Sequence, residues 1–177
     1  VKPNSEIDKE AFLRAFSVYF PGKVIPMLPE KLSNLICSLR PNEDKLCFSV
    51  VVEFDSKLSQ SEKVWFGKGV INSNHRFTYE DVESILNVRK GLFFEELDLM
   101  NRLATKLRMN RMKKGSINFD RTNTSFELDE HSEPIKILQK EPLKSHKLVE
   151  EFMLLANKQV ARKLQKCIYR VHDLPNK

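Results

Sequence analysis

Glycine and cysteine are both scarce in this 177-residue chain, with five and three residues respectively. So few glycines argue against a low-complexity segment. Cys37, Cys47 and Cys167 are scattered without a CxxC pair, a count that fits a reducing cytoplasm rather than a disulfide framework or a zinc site. Unbroken apolar runs reach only a handful of residues, so no segment reads as a membrane span. No basic–apolar–small leader stands at the start, and no secretory signal is expected in this chain. The phosphate-binding pattern GxxxxGK[ST], the dinucleotide pattern GxGxxG, the nucleophile elbow GxSxG and the zinc pattern HExxH are all missing. Nothing supplies the clustered carboxylates that two-metal phosphoryl chemistry needs.

What is present is 41% hydrophobic and 31% charged residues, a length suited to one domain with a real core, and a net charge of +6 with pI near 9.2. That charge favours a polyanionic partner, nucleic acid first, because phosphate attraction is the physical route.

Local patterns place the elements. Ser5 with Asp8 gives a capping-box start to a helix over 5–16, with Ile7, Ala11, Phe12, Ala15 and Phe16 as its apolar face. VYFPGKVIPMLP (18–29) carries three prolines and a glycine and reads as irregular, and Pro29 opens a short helix over 29–38. KLCFSVVVEFD and KVWFGKGVIN, separated by a polar turn, read as an antiparallel hairpin in which Gly67 and Gly69 mark a bulge or a close backbone approach. Helices follow over 78–88 and 92–113, the second with Leu97, Met100, Leu103, Ala104 and Leu107 on one face and Gly115 as its stop. GSINFD, SFELDE and PIKILQKE read as three short strands, 143–165 as a helix, and CIYRV as a last strand. Helices with mostly antiparallel strands make an α+β domain.

Several candidate sites have plain structural readings. LDEHSE (128–133), with Asp129, Glu130 and His131, reads as a polar hairpin turn rather than a metal site. His172 and Asp173 point to opposite faces if they lie in a strand, which favours a structural histidine over a base pair. The basic run KLRMNRMKK (106–114) scatters around the helix axis, so it reads as a solvated, dipole-complementing helix end. Tyr19 in a proline-fixed loop, Tyr79 at a helix start and Phe119 in a short strand are either core or a platform on which single-stranded nucleic acid stacks.

The glutamate pair in KLVEEFMLLANKQVARKL (147–164) is the sharpest puzzle. At about 100° per residue, Glu151 shares a strip with Lys147, Lys158 and Arg162, a solvated edge. Glu150 falls on a strip with Leu154, Asn157 and Ala161, where a carboxylate is costly unless something hydrogen-bonds to it.

SVYFPGKVIPMLPEKLSNLICSLRPNEDKL (17–46) resembles the signature run of the ribonuclease II / ribonuclease R family. The resemblance continues in FTYEDV (77–82), in the R-xxx-G-x-I-x-F region (111–119), in KLVEEFMLLANKQVA (147–161) and in YRVHD-x-P (169–175), and is closer to the ribonuclease R branch. It implies a processive, hydrolytic 3′→5′ exoribonuclease that threads single-stranded RNA through its RNB-type catalytic domain and releases nucleoside 5′-monophosphates with magnesium. It further implies that Tyr19 stacks on bases, that Phe119 joins it, that Tyr79 packs on the 3′-terminal nucleotide and that Glu150 stands opposite. Asn157 is expected to orient Glu150, whose carboxylate would accept hydrogen bonds from a ribose hydroxyl.

The departures shape the expectation for this chain. Phe16 replaces a usual threonine and Asn123 stands where an acid is common. The chain begins at Val1 without methionine, and the family's magnesium-holding aspartates are expected upstream of it, its later arginine motif and S1 domain beyond Lys177. Residues 1–177 are therefore expected to be one internal, partial RNB-type domain with no catalytic or metal-binding residue of its own, inactive alone. Absent flanking parts of the domain would leave core surface open, inviting dimerisation through unpaired strand edges. The alternative is a non-catalytic RNA-binding module derived from the same family, and the third reading is a purely structural domain.

Overall fold

The computed structural model describes residues 1–117, 123–131, 133–169 and 171. It confirms an α+β architecture of four α-helices and three two-stranded sheets among these residues. They gather in two compact units. One holds the described residues of Val1–Cys47, Lys68–Phe77 and Phe119–Pro142, the other those of Phe48–Gly67, Thr78–Asn118 and Leu143–Lys177.

In the first unit, α1 spans Glu6–Arg14, with the Ser5 hydroxyl accepting from the Asp8 N–H and the Asp8 carboxylate accepting from the Asn4 N–H. The helix stops short of residue 16 because Ala15 turns to φ 63°. Its expected apolar face is not core: Phe12 and Phe16 are exposed, and no residue of α1 is buried. The proline-rich stretch is more regular than expected. β1 (Val18–Phe20) pairs antiparallel with β2 (Lys23–Ile25), Tyr19 opposite Val24. The prolines permit this because Pro21 sits in the turn, beside Gly22 at φ 70°, and Pro26 follows the last paired residue. A π-helical turn over Lys31–Ile36 replaces the expected helix over 29–38.

β3 (Asp44–Phe54) and β4 (Gln60–Asn72) form the expected hairpin, β3 running from the first unit into the second and β4 from the second into the first. The Asp55 carboxylate shapes its turn by accepting from the Lys57 and Ser59 N–H groups at 2.9 and 2.7 Å. The close approach expected at Gly67 is made by a side chain: a Cβ there would collide with the Trp65 indole. β5 (Asn123–Leu128) and β6 (Pro134–Lys140) pair antiparallel across the expected polar turn, where Asp129 accepts from the His131 and Glu133 N–H groups, both at 2.8 Å. Residues 115–117 of the expected strand GSINFD are not extended in a sheet, and 118–120 lie outside the described residues.

The second unit carries the core. α2 (Tyr79–Val88) starts in a reciprocal capping box between Thr78 and Asp81, both bonds at 3.1 Å. α3 (Phe94–Lys113) has Glu95 and Glu96 in its first turn and Arg111 and Lys113 in its last, matching the helix dipole, and Gly115 follows it at φ +94°. α4 spans Lys144–Lys163. The three helices pack on one another, burying Leu97, Leu103, Ala104 and Leu148. Met100, expected on the buried face of α3, is exposed. CIYRV is not a strand at its described residues. Instead the Tyr169 hydroxyl turns back to donate to the Ala161 and Leu164 carbonyls at the end of α4. His172 and Asp173 lie outside the described residues. Among the described residues no helix is long and apolar enough to cross a membrane.

Candidate functional site

The N-termini of α2 and α4 meet through their side chains. The Tyr79 ring, at the first position of α2, stacks on the His146 imidazole of α4 with centroids 4.0 Å apart and planes 15° from parallel. His146 is held from beneath, since its Nδ1 accepts the Leu143 N–H at 3.2 Å. That bond places the remaining ring proton of a neutral imidazole on Nε2. The start of α4 is tied to α2 twice more. Glu83 accepts the Ser145 N–H at 3.2 Å, and the Lys144 ammonium donates to Asn87 Oδ1 at 3.0 Å.

Glu150 follows His146 by four residues, so the two side chains are neighbours on one face of α4, with Cβ atoms about 5–6 Å apart. Its side chain is half exposed. Glu151, by contrast, is 3% exposed and sits on the buried face of the helix with Leu148. This reverses the sequence expectation, in which Glu150 was the covered carboxylate and Glu151 the solvated one. The physical reason lies in spacing. Glu151 is three residues before Leu154 and four before Leu155, so it lies between them on the helical wheel, and that apolar setting outranks its three basic neighbours.

Arg111, from the end of α3, reaches both carboxylates. Its Nε donates to both Glu151 oxygens at 3.2 and 3.4 Å, and its Nη2 makes a short bond to Glu151 Oε1 and a 3.1 Å bond to Glu150 Oε1. Arg108, one turn earlier, brings Nη1 within 3.9 Å of Glu150 Oε2. The hydrogen bond to Glu151, aided by the charges of both glutamates, pushes the Arg111 guanidinium further above its ordinary range. The basic run of α3 is thus more than a solvated helix end. Beside this cluster, Arg108, Lys144 and Lys147 line a cavity of about 380 Å³ with Thr105, Met109 and Leu148.

Of the four residues expected to face RNA, the second unit brings Tyr79 and Glu150 to one side of α4. Tyr19 belongs to the first unit, where its ring is 76% exposed on the β1–β2 hairpin. Phe119 lies outside the described residues. Sequence reasoning passed over His146, read Glu151 as solvated and took Arg111 as part of a solvated helix end. The legible signals were the four-residue step from His146 to Glu150 and the wheel position of Glu151; nothing local marked Arg111 as their partner.

The RNB domain pattern matches residues 1–177, and the chain belongs to the RNB domain family. It is 39% identical to ribonuclease R of Aquifex aeolicus over 99% of this chain and 26% of that protein. It is 38% identical to DIS3-like exonuclease 2 of Schizosaccharomyces pombe over 94% of this chain and 20% of that protein. Its fold is similar to that of Mycoplasma genitalium RNase R, solved in complex with ribose methylated single-stranded RNA, with a TM-score of 0.84 and 34% identity over 92% of this chain and 26% of that one. The chain therefore spans about a quarter of the length of such relatives.

The family resemblance implies magnesium, and the side chains here do not fit it. Among the described residues no group of three or more His, Cys, Asp or Glu is placed to hold a metal ion, and Glu150 and Glu151 both direct oxygens at Arg111. What these residues can do is stack, accept hydrogen bonds and attract phosphate.

Proposed function

We propose that this chain is the part of a 3′→5′ exoribonuclease that grips the end of a single-stranded RNA, releasing nucleoside 5′-monophosphates only together with magnesium ligands supplied by other parts of the parent protein. The observation that carries the reading is the strip on α4 where Tyr79 stacks on His146 and Glu150 follows one turn on. With one face of the tyrosine ring covered by imidazole, a base stacks on the other, an interaction worth about 1–3 kcal/mol per base. The open half of the Glu150 carboxylate accepts a hydrogen bond from a ribose hydroxyl; Asn157, exposed on the same side but about 10 Å further along α4, is too distant to orient that carboxylate as expected. Arg108, Lys144 and Lys147 supply positive charge for the phosphates. Tyr19 offers a second stacking ring, and Phe119 is proposed to join it. Three cysteines without a CxxC pair suit a reducing, cytoplasmic setting. Exposed Phe12, Leu46 and Phe48 favour self-association of the isolated chain.

That no metal-holding group of carboxylates occurs among the described residues favours one second reading, a non-catalytic module that only holds RNA. A time course with 5′-labelled single-stranded RNA and magnesium, followed by a binding titration, tests the proposal. The chain alone should leave RNA intact yet bind it, and Tyr79→Ala and Glu150→Gln should weaken that binding; the parent protein should shorten the RNA from its 3′ end. A 3′-shortening ladder from the chain alone would contradict the proposed division of labour. Intact RNA bound by the whole parent would favour the second reading.

A further inference from the structure

We infer that Arg111 is a positioning residue for Glu150: seated on the buried Glu151, its guanidinium aims the Glu150 carboxylate at the RNA. The inference rests on the reading that Glu150 contacts RNA. A half-exposed glutamate on a helix normally samples several rotamers, and a surface ion pair holds it weakly because both partners must be ordered. Here one partner is ordered in advance. Arg111, its side chain only 18% exposed, gives its Nε and Nη2 to Glu151, which is 3% exposed and cannot move without opening the α3–α4 contact. The same Nη2 meets Glu150 Oε1 at 3.1 Å. The planar fork of a guanidinium suits this double duty, whereas an ammonium is a point charge. Arg108 stands 3.9 Å from Oε2, so the two Glu150 oxygens face two guanidiniums from one helix edge.

A purely structural role, clamping α3 to α4, predicts something different, and charge-neutral substitution separates the two. Arg111→Leu with Glu151→Leu removes the buried pair, leaves apolar contact between the helices and keeps the net charge, so phosphate attraction at long range is unchanged. Glu150→Gln removes a negative charge, which by bulk electrostatics would tighten RNA binding, so a loss reports the local contact.

The experiment measures affinity of the whole chain for a labelled 3′-hydroxyl single-stranded RNA by fluorescence anisotropy, with thermal melts as the folding control. The expected result is a roughly tenfold loss for the paired leucine variant, a similar loss for Glu150→Gln, and no more than about twofold further loss when all three changes are combined, because coupled residues are not additive. Wild-type affinity in the paired variant, with Glu150→Gln tenfold weaker, would overturn the inference and leave a structural clamp. Wild-type affinity in Glu150→Gln would overturn the RNA contact itself, and the inference with it. Should the paired variant fail to fold, Arg111→Lys decides: a tenfold loss with an unshifted melt supports positioning, and wild-type affinity overturns it.

Discussion

The Tyr79 ring and the His146 imidazole lie face to face, 4.0 Å between centroids and 15° from parallel. Each is fixed from its own helix start: Tyr79 follows the Thr78–Asp81 capping box, and His146 Nδ1 holds the N–H of Leu143. The tyrosine plane is therefore set before any ligand arrives, which lowers the ordering cost of stacking on it.

Removing that ring should show directly in RNA affinity. Tyr79→Ala should weaken binding of single-stranded RNA by about 5- to 150-fold, the equivalent of ~1–3 kcal/mol, while Tyr79→Phe keeps the stack and stays near wild type. His146→Ala should give an intermediate loss, since it releases the ring without deleting it. Fluorescence anisotropy at fixed salt measures all three.

The two adjacent glutamates should differ sharply in stability. Glu151→Ala leaves the Arg111 guanidinium only the half-exposed Glu150 and should cost about 1–3 kcal/mol in urea denaturation. Glu150→Ala, at a half-exposed site, should cost less than ~1 kcal/mol. Equal losses would mean the two carboxylates share one environment.

That contrast shows where the sequence was legible. Helix starts with a side-chain cap, Ser5 and Thr78, were readable because Asp lies three residues on; Asp81 returns the bond to the Thr78 N–H, whereas Asp8 takes the N–H of Asn4 instead. The long strands and the Asp129 turn were readable because alternation and local side-chain bonds act within a few residues. Tyr79 and Glu150 were singled out by position, as an aromatic at a helix start and a carboxylate on an apolar strip, but their roles came from family resemblance. The ion pair of Arg111 with Glu151 joins helices separated by two strands, and no local rule links them. The apolar face assigned to α1 failed for a related reason: periodicity names the side that wants cover, not whether cover is present.

Acid should release one local ion pair in the first unit. The Glu43 carboxylate accepts from Lys45 at 2.6 Å and sits 3.2 Å from Arg40, and the Lys45 hydrogen bond holds its pKa below the ordinary value. A lowered folded-state pKa means the contribution is present above the unfolded value and fades as pH falls through the folded one. In a carbon-detected NMR titration, Lys45→Met should move the Glu43 transition upward toward the ordinary carboxylate range.

Gly67 should resist any side chain. A Cβ there collides with the Trp65 indole, so Gly67→Ala should displace the ring of the chain's single tryptophan. Its fluorescence emission maximum should shift, whereas Gly69→Ala, where the nearest atom is Cys47 Sγ at 3.8 Å, should leave it in place.

The most direct test of the account is NMR shift mapping of the chain with a short single-stranded RNA ending in a free 3′ hydroxyl. The largest changes should fall on the Tyr79 ring, the His146 ring and the Glu150 backbone amide and side chain, and Tyr79→Ala should shift those at His146 and Glu150 to higher RNA concentration. Shifts confined to other parts of α3 and α4, or RNA binding that leaves these three residues unmoved, would contradict the claim that this strip receives the RNA end.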